Sequence, residues 1–336
     1  MRRGSILQLV LMGIVFGAVA TAVAYFVPWL PAADSKQADR IHFLFWFTTA
    51  ICIGIFAVVA AVIVYSILKF RVKPDDDSDG VPLHGNTGLE IVWTAIPAVL
   101  VTAISIVAAV ILVQNGRAGS DALNVDITAQ QFWWQFTYPT LGKFTSPTLN
   151  LPVNQPVVLH LKSVDVIHSF WVPQFSQKQD AVPGIETKLV ITPEKLGTYP
   201  VICTELCGLG HSLMRSTAVV QSKTDFDKWA QQQKAALHGP PGAAGLTVFT
   251  AQGCASCHTF TPAKATGKVG PDLDNLTAAA KKAGQPLAAF IKESITNPDA
   301  YIAPGFKKGV MPTTFAQTIP ADQLQELVTY LQTGQK

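Results

Sequence analysis

The 336-residue chain is poor in charge: Asp, Glu, Lys and Arg make up 14% of it, against about 25% in an average soluble protein. The charge that is present nearly cancels, 25 basic against 22 acidic side chains for a formal +3. That balance gives no electrostatic reason to bind nucleic acid. Cysteine is scarce as well. Five residues do not make the evenly spaced framework of a disulfide-stapled domain; four stand as two close pairs, Cys203/Cys207 and Cys254/Cys257, a spacing that reads as metal or haem chemistry. No internal repeat is present. What abounds is hydrophobic side chain, 49% of the chain, with mean hydropathy +0.30. This excludes disorder and a wholly soluble protein, and the length allows about two domains plus extras.

The apolar residues concentrate at the front. Segments 6–27, 43–68 and 91–113 carry no charge, and each exceeds the roughly 20 residues that cross a bilayer as a helix. The second and third predict a transmembrane hairpin over 41–114. The first, within 1–33, reads as a retained helix. Arg2 and Arg3 ahead of it and Ala22-Val23-Ala24 near its end also fit a signal peptide. Basic residues favour the cytoplasmic side, so Arg2, Arg3, Lys69, Arg71 and Lys73 place everything after Gln114 outside the cytoplasm, on the outer face of the membrane. Asp75, Asp76, Asp77 and Asp79 then fall in a solvated inner loop. Cys52 reads as a small apolar packing residue in the second span.

After Gly119 the pattern changes to short alternating segments, 123–128, 157–162, 187–192, 199–203 and 217–221, separated by Pro, Gly and Asn. They predict a small antiparallel β-sandwich or barrel over 120–222. A helix and a Gly/Pro linker follow at 223–245, with His238 in the linker, and a helical, Gly/Pro-punctuated domain occupies 246–336. The expected fold is thus multidomain: transmembrane helices, an all-β domain and an all-α domain.

The β domain carries the first chemical constellation. Cys203-Thr-Glu-Leu-Cys207-Gly-Leu-Gly-His211-Ser-Leu-Met214 packs two thiols, an imidazole and a thioether into twelve residues, and His168 lies 35 residues upstream of Cys203. Soft sulfur ligands with imidazole favour copper. One blue-copper ion uses a single Cys, whereas a pair of copper ions bridged by both sulfurs uses every donor. A structural zinc site would leave Met214 idle, a Cys203–Cys207 disulfide would leave both histidines unexplained, and a thioredoxin-like copper chaperone would need a βαβ pattern. These three readings stay open beside the first.

The stretches D-V-I-H-S-F-W-V-P at 165–173, K-Q-D-A-V-P-G at 178–184 and C-T-E-L-C-G-L-G-H-S-L-M at 203–214 resemble cytochrome c oxidase subunit II over roughly residues 40–222. The resemblance implies a cupredoxin domain with a dinuclear copper A centre. Cys203 and Cys207 would be the bridging thiolates, His168 and His211 the terminal imidazoles, and Met214 the weak axial ligand. Glu205 would give its carbonyl to copper and its carboxylate to a magnesium ion shared with subunit I. Trp133 and Trp134, in the run Q-Q-F-W-W-Q-F-T-Y-P, would help electrons in; an aromatic run on a strand is also ordinary core. Phe132 takes the place where the family usually has a tryptophan. Glu90 matches the carboxylate at the mouth of a proton pathway, although a carboxylate at a helix N-terminus is favourable for dipole reasons alone.

The second constellation is Cys254-Ala-Ser-Cys257-His258, the C-x-x-C-H haem attachment pattern; a redox-active C-x-x-C with an incidental His is its bland alternative. Met311 lies 53 residues after His258 as the sixth-ligand candidate, and His/Met ligation raises a haem potential. Residues 245–336 resemble a small class I cytochrome c, with Gly270-Pro271-Asp-Leu273 and Met311-Pro312 matching its two haem-side loops. His42, His84, His160 and His238 read as structural or solvated.

These features imply an oxidoreductase subunit that takes electrons from external cytochrome c or a bc-type complex. It would pass them from haem c through the copper pair to subunit I, with subunit III completing a proton-pumping oxidase. No residue set here builds an oxygen site. Service in a nitric oxide reductase, or as a stand-alone membrane electron carrier, stays open.

Overall fold

The computed structural model describes residues 3–71, 82, 84–236 and 243–335. Arg2, Lys73, the acidic run 75–79 and the His238 linker lie outside them. The chain divides into two compact units, one of residues 1–33 with 38–115 and the other of 34–37 with 116–336.

The first unit contains three apolar helices, α1 (Arg3–Phe26), α2 (Lys36–Lys69) and α3 (Thr87–Asn115), each long enough to cross a bilayer. Helices α1 and α2 meet through small residues. A methyl built on Gly17 would stand 3.6 Å from the Ala57 methyl, and one on Gly13 4.0 Å from that of Ala61. Such residues let helix backbones approach where lipid supplies no hydrophobic drive. Phe16 and Phe56 meet edge-on beside them, 6.5 Å apart. Arg40 of α2 donates to Asn115 Oδ1 of α3 at 3.1 Å. Most large side chains of the three helices point outward and are exposed, as lipid-facing residues do. Cys52 is exposed too. It lines a shallow apolar groove with Ala20, Phe45 and Phe56 rather than packing between helices.

The second unit opens with a sandwich of two five-stranded sheets. One has the order β3 (Phe144–Ser146), β2 (Trp133–Tyr138), β1 (Leu123–Gln130), β5 (Val157–Ser163), β8 (Thr187–Ile191). The other runs β4 (Leu149–Pro152), β10 (Arg215–Gln221), β9 (Gly197–Cys203), β6 (His168–Val172), β7 (Gln177–Ala181). The sheets are not purely antiparallel as expected: β1 pairs parallel with β5, and β4 with β10. The chain leaves the first sheet after β3, forms β4 in the second and returns as β5, so β5 enters beside β1 in the same direction. Strand alternation sends one face of each strand inward, and Val125, Ile127, Phe136, Leu159, Leu161 and Val201 fill the core at 0% exposure.

Helix α4 (Lys223–Ala236) closes the sandwich with Phe226 and Trp229 against Tyr138. The buried Tyr138 hydroxyl donates to Asn150 O at 2.9 Å and accepts from Asn150 N at 2.7 Å. Residues 34–37 join this unit. Asp34 N donates to Gln174 O, Lys36 N to Thr192 O, and Thr192 N to Gln37 Oε1 at 2.9 Å.

The remainder is helical: α5 (Ala243–Ala251), α6 (Cys254–Cys257), α7 (Leu276–Ala283), α8 (Leu287–Thr296), α9 (Phe315–Thr318) and α10 (Ala321–Thr333), with a small hairpin of β11 (Thr259–Phe260) and β12 (Ala265–Thr266). Helix α10 packs on α5, where Tyr330 meets Phe249 and Phe260.

Candidate functional site

The loop from Cys203, the last residue of β9, to Arg215, the first of β10, wraps one end of the sandwich. Cys203, Cys207 and Met214 are buried, His211 is half-buried, and His168 enters at the start of neighbouring β6 with 0% exposure. The donor atoms converge. Cys203 Sγ lies 4.0 Å from Cys207 Sγ and 3.9 Å from His168 Nδ1, and Cys207 Sγ lies 3.5 Å from His211 Nδ1 and 3.7 Å from Met214 Sδ. The Glu205 carbonyl is 3.3 Å from Cys203 Sγ, while the residue itself is exposed. Both cysteines are free, and a 4.0 Å separation is about twice a disulfide's length. His168, Cys203 and Cys207 alone offer three ligand atoms within 4.8 Å of one another. They are candidate copper ligands, and the sulfur-rich set suits a soft ion.

Electrostatics treat the two sulfurs differently. Burial pushes the Cys203 thiol up, but the hydrogen bonds from His168 and the local backbone outweigh it and hold the group below the usual thiol range. Cys207 is driven upward by burial and by the charge of Cys203 beside it. A bound metal ion would require that second proton to leave, because metals bind thiolate.

Sequence reasoning missed the residue that orients His168. Asp165 Oδ1 is 2.8 Å from His168 Nε2, so Nδ1 faces the sulfurs. The carboxylate also accepts from Gln131 N and Val166 N, each at 2.7 Å. Burial raises the Asp165 carboxyl, yet these bonds hold it below its ordinary value. Its signal was present in the sequence: an acid three residues before the histidine, within a quoted motif.

The adjacent tryptophans separate. Trp134 packs inside the sandwich, edge-on to His168 and Phe170, whereas Trp133 belongs to the buried cluster of the helical region. The Phe132 ring lies against Gly208 and Gly210 of the cysteine loop; at Gly210 any side chain would collide with it. The Gln131–Phe132 peptide is cis. Glu90 caps α3: its Oε1 accepts from Asn86 N while Asn86 Oδ1 accepts from Leu89 N, both at 3.1 Å.

In the helical region Cys254, Cys257, His258 and Met311 line one cavity of about 580 Å³, within the roughly 300–1,000 Å³ of cofactor sites. Phe249, Leu273, Phe290, Ile295 and Leu327 supply apolar walls. His258 Nδ1 donates to Pro271 O at 2.8 Å, which leaves Nε2 as the nitrogen that could ligate a metal. Burial holds that imidazole below its ordinary value, with the Pro271 bond opposing. Gly270 lies so close to the His258 ring that a methyl there would stand 2.5 Å from Cε1. The residues present fit a covalently attached haem. His160, outside both sites, bridges Glu186 and Asn124.

The chain is similar to known proteins over all three of its regions. Residues 20–111 match "Cytochrome C oxidase subunit II, transmembrane domain", residues 143–222 "Cytochrome C oxidase subunit II, periplasmic domain" and residues 242–335 "Cytochrome c". The chain is 32% identical to cytochrome c oxidase subunit 2 of Synechocystis sp., covering 67% of this chain and 82% of that protein. The Thermostichus vulcanus protein of the same name is 33% identical, with 67% and 85% covered. The one from Alkalihalophilus pseudofirmus is 29% identical, with 90% of each covered. Three membrane-length helices, a cupredoxin-like β domain and a fused helical domain of the cytochrome c family therefore form one membrane protein, an oxidoreductase subunit whose families use copper and haem; the chain belongs to the cytochrome c oxidase subunit II family.

Proposed function

We propose that this chain delivers electrons to a haem-copper cytochrome c oxidase and carries its own cytochrome for the purpose. Its donor would be an external cytochrome c or a bc-type complex. Its acceptor would be subunit I, where oxygen is reduced to water with proton pumping, and subunit III would complete the assembly. When bound, one haem c and a dinuclear copper centre supply one-electron carriers. The chain's own residues hold and tune them. Cys203 and Cys207 would bridge the two copper ions, with His168 and His211 at the ends, Met214 as weak ligand and the Glu205 carbonyl completing the set. The Glu205 carboxylate, exposed beside them, would serve magnesium at the subunit I contact. Cys254 and Cys257 would fix the porphyrin, with His258 and Met311 as axial ligands.

The carrying observation is a shared wall: Gly208, Leu209, Gly210 and Leu213 of the cysteine loop line the same cavity as Cys254, Cys257, His258 and Met311. Trp134 stands on the copper side of that wall and Trp133 on the haem side, as groups through which electrons would enter. We place both sites on the outer face of a bacterial membrane. The basic residues Lys69 and Arg71 directly after the second span support this, since such residues favour the cytoplasmic side. Glu90, at the opposite end of α3, would then sit at the inner mouth of a proton pathway.

Metal and haem analysis of the full-length chain tests the reading. A two-to-one ratio of copper to iron is expected, with haem that resists acid-acetone extraction. Any other ratio, or extractable haem, sinks it. Copurification with a haem-binding membrane subunit and oxygen consumption by the complex test the partner and the acceptor.

A further inference from the structure

Strand alternation sends neighbouring residues to opposite faces of a sheet. On β2 it turns Trp134 and Phe136 into the sandwich and leaves Trp133 and Gln135 on the outer face. Trp133 is nevertheless only 7% exposed, because the helical domain covers it. The cover is close. A methyl on Gly253 would stand 2.9 Å from both Cβ and Cγ of Trp133. Gln135 Nε2 donates to Ala251 O at 3.5 Å, and the Gln130 side-chain amide donates to Thr314 Oγ1. These three contacts bracket the haem ligands: Ala251 and Gly253 directly precede Cys254, and Thr314 follows Met311. All three are neutral, and Trp133 Nε1 has no hydrogen-bond partner among the described residues.

The geometry points to a latch. The outer face of the β1–β2 pair, with Trp133 of β2 as apolar anchor and its register partner Gln130 of β1 and Gln135 of β2 as polar guides, holds this chain's own cytochrome domain on the cysteine loop. The cytochrome is therefore docked and not merely tethered, and the loop face toward the haem cavity is already covered. Docking between separate redox proteins commonly uses complementary charge and weakens with salt; this latch uses none. Gly253 is the matching half. Its φ of 70° is one that Asn tolerates, so Gly253→Asn adds a side chain against Trp133 without forcing the backbone.

Hydroxyl-radical footprinting of the full-length chain in detergent micelles, read residue by residue by mass spectrometry, tests the latch with Trp134 as internal control. In the wild type both tryptophans should resist oxidation equally, at ~10 mM and at ~1 M salt alike. In Gly253→Asn, Trp133 should oxidise at least about tenfold faster, the scale expected when a buried aromatic anchor is lost, with Trp134 unchanged. Rapid oxidation of wild-type Trp133, loss of its protection in high salt, or an unaltered rate in Gly253→Asn would overturn the proposal. Should the variant misfold and expose Trp134 as well, the wild-type salt comparison still decides. Metal and haem stoichiometry plays no part in this readout, so failure of the latch and failure of the functional reading are distinguishable.

Discussion

The two redox sites of this chain are built in opposite ways. Most of the candidate copper ligands ride on the loop between β9 and β10, with His168 on β6, against a sandwich whose core is filled mainly by apolar side chains such as Val125, Ile127, Leu159 and Val201, a cluster that Cys203, Cys207 and Met214 join. Their donor atoms stand within about 4 Å of neighbouring donors. In the cytochrome domain the buried cluster and the cavity wall are the same residues: Phe249, Leu273, Phe290, Ile295, Phe315 and Leu327 belong to both. Its helices are short, α6 and α9 having four residues each, and short helices depend on tertiary packing. One site is thus preorganised by its scaffold. The other is a fold arranged around a cavity, where a bound cofactor's apolar contact would count toward the core.

The largest expected effect follows from that difference. Replacing both attachment residues, Cys254→Ala with Cys257→Ala, should release haem and melt the helices of 243–335. Far-UV circular dichroism would show the loss, while the β-sandwich still unfolds cooperatively at higher temperature. A haem-free region that kept its helicity would break the contrast. On the copper side, His211→Asn should abolish the near-infrared copper band yet leave the haem spectrum and the sandwich's melting nearly intact. Met311→Ala should do the converse, sparing copper while lowering the haem potential, since the thioether ligand raises it. Titration of the haem against a potential-measuring dye checks this directly.

How legible these features were depends on how local their causes are. The candidate loop ligands Cys203, Cys207, His211 and Met214 fall within a dozen residues and the Cys254–His258 run within five, so spacing alone singled them out as candidates. Helices α4 and α10 and strands β1, β5, β8, β9 and β10 were visible through apolar periodicity. Strand β7 was not: Gln177-Lys-Gln-Asp-Ala181 has no apolar alternation, because it is an edge strand held by ladder bonds to β6. The 34–37 segment was equally silent. Its Ser35 and Gln37 are buried only because Phe175 and Thr192, more than a hundred residues away, cover them. Parallel pairing of β1 with β5 and the division of Trp133 from Trp134 between two cores are likewise long-range results.

A smaller effect should come from Asp165→Ala. The imidazole of His168 would lose the acceptor that fixes its orientation, and outer-shell losses of this kind cost about 10–100-fold in metal affinity. Competition with a copper chelator measures it. The sandwich's melting temperature should stay close to wild type, because the lost bonds serve the site. A chelator curve that did not move would mean the loop positions His168 unaided, which would sharpen the case for preorganisation.

The smallest effect concerns the scaffold alone. Tyr138→Phe keeps the ring stacked on Phe144 and against Trp229 but removes the hydroxyl that serves both the N–H and the carbonyl of Asn150. Leaving buried partners unsatisfied costs about 1–3 kcal/mol, and each kcal/mol shifts a domain of this size by roughly 4–8 °C. Calorimetry should therefore show the sandwich melting earlier, with the copper band at its wild-type position and the haem transition unmoved. If the copper band shifted together with that melting, the site would be sharing the strain of its scaffold, and its preorganisation would extend some way into the core instead of ending at the loop.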